Sequence, residues 1–221
     1  MKTAALFLLL HPQIPRQPCF RNFCPNILYP IHINFWKGVK HLMSMSNNDR
    51  IIKAVNIPNP LYQSLQGRYF VGQTEHILFG KGKNGWGGLF NPFKSDVNLF
   101  VNAFTITNHS EQPFEAEIWF NPVSPGKPKV SKNVTPANTA LTPLPKPEVK
   151  IAYAEFVDGT PKEGVMAFRR IVPPQSTLTS DEDGKYIFPP GGSFIIFLTS
   201  PNNEIIQAEV AFGWFEKNKK M

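Results

Sequence analysis

The sequence predicts an all-β fold, an antiparallel β-sandwich of jelly-roll-like form, behind an irregular N-terminal leader. Three observations carry this. From Asp49 onward, short apolar or alternating runs are separated by clusters of Pro, Gly, Asn and Asp, the mark of strands and turns. The 22 prolines argue against long helices, because each removes a backbone donor and fixes φ. Finally, 221 residues with 19 phenylalanines can supply one sizeable core.

Taken in order, residues 61–66 form the one helix candidate, a turn or two long. Strands are expected at 68–72 and 75–79, followed by a glycine-rich surface loop that begins at Gly80. Residues 97–107 are apolar on both faces in part, as for a strand deep in a sandwich. The short loop 108–113 is expected to join them to 114–121 as an antiparallel hairpin. In that second strand Phe114, Ala116, Ile118 and Phe120 point one way, while Glu115, Glu117 and Trp119 point the other. Trp119 among the acids marks a second contact. Further strands are expected at 129–134, 150–157, 165–172, 176–179, 185–188, 193–199 and 205–215. The stretch 135–147, with Pro136, Pro143, Pro145 and Pro147, is an extended loop of polyproline character, and strands must pair across it. The acidic stretch Asp181-Glu182-Asp183-Gly184 is read as a turn.

Charge divides the chain. The net charge is +7 and the pI about 9.4, values that ordinarily point to an acidic polymer or a membrane surface. Residues 1–42, however, hold five basic residues and no acid, with Cys19, Cys24, His11, His32 and His41. That leaves 18 of the 23 basic residues against all 16 acids in 43–221, and no cysteine. The expected division is a leader, 1–42, and a single β-sandwich domain, 43–221. Two readings of the leader stand. Lys2 followed by an apolar run at 4–10 looks like the start of a signal peptide, but His11-Pro12 ends it early and no A-x-A-like site follows. The run is also too short to span a bilayer. Alternatively, the leader is a spurious upstream extension: Lys37-Gly38-Val39-Lys40 can be encoded by a strong bacterial ribosome-binding site ahead of Met43. A start at Met43 implies cytoplasmic synthesis without a working signal peptide.

Convergent chemistry is sparse. Gly80-Lys81-Gly82-Lys83-Asn84-Gly85 matches G-x-G-x-x-G in form, but the following Trp86-Gly87-Gly88-Leu89-Phe90-Asn91-Pro92 cannot open the helix that a pyrophosphate needs. Trp86 on a glycine-rich loop, with Phe90, could stack on a sugar or a partner; the plainer alternative folds it back over the end of the sandwich. After Met43 only His76 and His109 remain, neither with a second ligand at useful spacing, so no metal site is expected. The acids at 181–183 could hold calcium, although such a turn is usually just solvated. Glu115 and Glu117 read as the solvent side of a half-buried strand rather than a glycosidase pair. No G-x-S-x-G elbow occurs. Lys127, Lys129 and Lys132 suit a polar edge strand better than a nucleic-acid stripe. Trp214 lies in an apolar terminal strand, where core is its default place. No enzyme and no cofactor are expected.

Several motifs carry a resemblance: Asn108-His109-Ser110 with Pro113-Phe114-Glu115-Ala116-Glu117-Ile118-Trp119; Val134-Thr135-Pro136-Ala137-Asn138-Thr139 with Pro143-Leu144-Pro145-Lys146-Pro147; Arg170-Ile171-Val172-Pro173-Pro174; Phe188-Pro189-Pro190-Gly191-Gly192; and Ala211-Phe212-Gly213-Trp214. Together they resemble an uncharacterised family of small β-rich proteins from spore-forming Firmicutes, classed as a domain of unknown function. The resemblance covers roughly residues 56–216 and implies no activity or catalytic residue. The expected function is a non-catalytic structural or protein-interaction module, with self-assembly among its possible contacts; the resemblance adds a spore or cell surface as its setting. The alternative is a carbohydrate-binding module using exposed Trp residues. Trp86, Trp119 and Phe90 are the candidate contact residues under either reading. Neither nucleic acid nor a membrane span is expected.

Overall fold

The computed structural model describes residues 54–201 and 203–219; the leader expected over residues 1–42 lies outside them. Pro58 precedes the first element, α1 (Asn59–Leu65), which carries a proline in its first turn. There a missing N–H costs little, since the first helical donors have no partner in the helix. Strand then dominates: β1 (Tyr69–Gln73), β2 (Ile77–Gly80), β3 (Asn84–Phe90), β4 (Val97–Asn108), β5 (Phe114–Phe120) and β6 (Lys129–Val130). After these come β7 (Val134–Pro136), β8 (Lys150–Val157), β9 (Val165–Val172), β10 (Ser176–Phe188), β11 (Ser193–Thr199) and β12 (Ile205–Asn218).

All pairings between strands are antiparallel and fall into two six-stranded sheets. The first runs β10-β4-β12-β1-β7, with β2 also beside β12; the second runs β6-β8-β3-β11-β5-β9. The sheets face each other across one core. Leu99, Val101, Phe104 and Ile106 of β4 meet Phe114, Ala116 and Ile118 of β5 and Phe194, Ile196 and Leu198 of β11 there. Aromatic contacts cross the interface, Phe79 edge-on to Phe114 at 5.2 Å and Phe104 to Phe194 at 5.5 Å between centroids. The predicted sandwich is therefore what the chain forms. β11 shows why Phe194–Leu198 is continuously apolar: alternate residues enter the inter-sheet core, while Ile195 and Phe197 join a second cluster with Trp86, Ala152, Ala154 and Val157.

Four expectations are corrected. The glycine-rich loop expected from Gly80, with Trp86 on it, ends at Lys83: Asn84–Phe90 is β3, paired to β8 on one side and β11 on the other. Gly87 and Gly88 are small because neighbours come close: a Cβ on Gly88 would lie 2.5 Å from both the Phe194 carbonyl oxygen and Ile195 Cδ1. Second, β4 and β5 are not a hairpin. β4 pairs with β10 and β12, β5 with β11 and β9, so residues 109–113 arch from one sheet to the other. Buried Asn108 pins the arch, its Nδ2 donating to the Gln112 and Pro173 carbonyls at 2.8 and 3.0 Å while Oδ1 accepts from Ser110 N at 2.9 Å.

Third, the acidic stretch expected as a turn between separate strands lies inside β10. Pairing with β4 shifts register between Asp181 and Tyr186 and then resumes, with positive φ at Asp183 and Gly184. Gly184 sits against the Phe215 ring, where a Cβ would meet Cζ at 2.6 Å. Fourth, 129–134 splits into β6 and β7, which lie in different sheets. Across the proline-rich loop, β6 pairs with β8 as expected.

Candidate functional site

The three expected contact residues come together on the outer face of the second sheet. Trp86 pairs with Phe197 and with Ala154 across the neighbouring strands, and its ring lies 5.7 Å from that of Phe90. Phe90 and Trp119, both half-buried, pack against the same apolar cluster. Exposure corrects part of the expectation: Trp86 is 1 % exposed, and its Nε1 donates to the Pro125 carbonyl at 2.7 Å. It offers no free face for stacking. Trp214 is fully buried, as its default reading held. Trp119 donates through Nε1 to Glu117 Oε2 at 2.9 Å. Glu117, expected in solvent, is instead largely buried and paired to Arg169 at 2.9 Å.

The sheet edges differ in their protection. β6 is two residues long and carries Lys129, paired with Glu155; β7 is three residues and ends at Pro136. β10 is long, but it carries the bulge and exposed Asp181, Asp183 and Lys185. β9 is different. It has eight residues, pairs only with β5 among the described residues, and leaves Val165 64 %, Met166 37 % and Ile171 69 % exposed. Its two arginines are occupied, Arg169 with Glu117 and Arg170 over the Phe168 ring at 4.4 Å. The run Val165-Met166-Ala167-Phe168 gave no alternation from which an open edge could be read.

Titratable groups gather in one place that the sequence spacing hid. His76 lies just before β2, His109 just after β4, and Glu209 in β12 between those two strands. His76 Nδ1 is 3.1 Å from Glu209 Oε1, and His109 Nε2 is 3.3 Å from Oε2. The imidazoles meet edge-on at 5.4 Å between centroids. The sequence offered neither histidine a second ligand at useful spacing; the fold brings one carboxylate to both. The outward polar alternation of Gln207 and Glu209 between Ile206, Ala208 and Val210 was the available signal, but strand register was needed to bring it to the histidines.

Among the described residues, the other acids do not converge in this way. Asp181 accepts from the Asp183 backbone N–H at 3.1 Å, while buried Glu182 turns to Ser180 Oγ at 2.6 Å. Burial, with Glu182 as hydrogen-bond partner, pushes the Tyr186 hydroxyl up to about 12. Glu216 is 6 % exposed and accepts from the Glu148 and Val149 backbone N–H groups and from Trp214 Nε1. A shallow apolar groove of about 550 Å³ crosses the outer face of the first sheet, lined by Tyr69, Val71, Gln73 and Thr105 among others. Among the described residues, no helix is long and apolar enough to cross a membrane.

Compared with known proteins, residues 41–220 match the model of a family of unknown function (DUF6143). No curated protein gives a significant match. Nor does any solved structure.

Proposed function

The chain belongs to DUF6143, a family of unknown function, so its relatives lend it no activity, and we propose from its own architecture that it is a non-catalytic structural module that assembles through the open edge of β9. An edge strand presents a row of unpaired N–H and C=O groups, which a further strand can complete. The observation that carries this reading is the contrast among the edges. β6 and β7 are short and β10 carries exposed acids beside its bulge, whereas β9, though bulged at Ala167, is long, has both arginines engaged and leaves Val165 and Ile171 exposed. The occupant is a strand of a second copy or of a protein partner, and a spore or cell surface is the setting that the sequence resemblance implies. Lysine at both positions, Val165→Lys with Ile171→Lys, places charge on the edge without touching the core. Size-exclusion light scattering is expected to show the wild type growing in mass with concentration and the double variant monomeric, both with unchanged strand content by circular dichroism. A wild type that stays monomeric at high concentration, with no partner recovered by cross-linking in cells, would sink the proposal.

A further inference from the structure

We propose that His76, His109 and Glu209 form a binding site for a divalent ion of the zinc class, with water completing the coordination. One ligand atom from each lies within 4.8 Å of the others. Zinc bound to imidazole nitrogen and carboxylate oxygen at 2.0–2.2 Å in tetrahedral geometry places its ligands about 3.3 Å apart. The two N···O separations, 3.1 and 3.3 Å, run to different oxygens of Glu209 and lie near that spacing. One ion reaches both imidazoles when the rings draw closer and the carboxylate binds through both oxygens or turns one of them toward the ion. Two histidines and one carboxylate with an open fourth position is a donor set that zinc and neighbouring first-row ions accept.

The backbone holds these ligands in place. Ala208 of β12 is in register with Ile77 of β2 on one side and Asn108 of β4 on the other, so each histidine sits one residue from a paired position. His109 N–H also donates to the Gln207 carbonyl at 3.0 Å. The histidine side chains are 57 % and 37 % exposed, which lets an ion enter without unfolding. A competing group sharpens the case. The Gln207 side-chain Nε2 lies 2.8 Å from the same His76 Nδ1 that faces Glu209. That nitrogen has either one proton or one lone pair, and cannot both donate to the carboxylate and accept from the amide. A half-turn of the Gln207 amide would relieve the conflict by offering its oxygen to an Nδ1 proton; a cation between His76 and Glu209 relieves it too, taking the lone pairs of both. Binding would clip β2 and β4 to β12.

The test uses the full, untagged chain, stripped with chelator and titrated with zinc chloride by calorimetry. Cobalt(II) serves as the visible-absorption probe. The leader carries cysteines and histidines of its own, so the decisive quantity is the difference between wild type and variants, measured also in a Cys19→Ser, Cys24→Ser background. The expected result is one equivalent more zinc bound by wild type than by His76→Ala with His109→Ala. Glu209→Gln should weaken that equivalent at least tenfold. Zinc should raise the thermal midpoint of wild type and leave that of the double variant unmoved. Equal stoichiometry and equal thermal response in wild type and a double variant folded by circular dichroism would overturn the site and leave a histidine–carboxylate contact only.

Discussion

Trp214 donates through Nε1 to Glu216 Oε1 at 3.0 Å, two residues along β12 in the buried part of the first sheet. Trp119 makes the same bond to Glu117 at 2.9 Å in β5 of the second sheet. Both carboxylates thereby sit beside an indole rather than in water, and each needs further donors to offset the loss of hydration.

For Glu216 the consequence is a pH dependence. Burial raises its carboxyl above the ordinary 4.5, against the pull of the Glu148, Trp214 and Val149 N–H groups. The folded chain then keeps a proton that the unfolded chain releases first. The resulting stability is fully present below 4.5 and is lost as pH rises through the raised folded value. Glu216→Gln removes this titration and turns an NH2 toward one of the three donors. It should cost about 1–3 kcal/mol, and the gap from wild type should narrow as pH rises above 4.5. Urea unfolding of both proteins at pH 4 and pH 7 checks the magnitude and the sign.

Trp86 is a core residue by its packing, and truncation should show it. Trp86→Ala should lose about 3–5 kcal/mol in denaturant unfolding, with Trp86→Phe retaining most of that because only the bond to Pro125 and some of the volume go. A Trp86→Ala loss confined to glycan binding, with stability unchanged, would contradict this burial.

Gly88 is held small by the spacing of β3 and β11. Gly88→Ala puts a Cβ 2.5 Å from a backbone oxygen that can retreat only if the strands separate. The expected cost is about 1–3 kcal/mol, read as a lower midpoint in thermal unfolding.

Much of the fold was legible because most strands bury at least one face. The alternation in Phe114–Phe120 and the turn residues around Lys150–Val157, Val165–Val172 and Ser193–Thr199 mark these strands directly. What stayed hidden is non-local. Gly87 and Gly88 look like a loop until Thr74 and Ile77 are seen against the first and Phe194 and Ile195 against the second. The arch 109–113 has the length and residues of a hairpin loop, and only the choice of partners, Ala208 for Asn108 and Val172 for Phe114, separates the two. The positive φ at Asp183 and Gly184 that reads as a turn also suits a bulge. At the candidate sites the same limit holds. Trp86, Phe90 and Trp119 could be chosen as large aromatics, but their exposure depends on what covers the sheet. His76, His109 and Glu209 meet through register alone.

The open edge of β9 is tested most directly by hydrogen exchange at its own backbone amides, followed by mass spectrometry at low and high protein concentration. Exchange in Val165–Val172 is expected to slow selectively as concentration rises, while the protected strands β4 and β12 do not change. Exchange in β9 that stays fast at every concentration, in a chain that sediments as a monomer throughout and yields no cross-linked partner in cells, would contradict it.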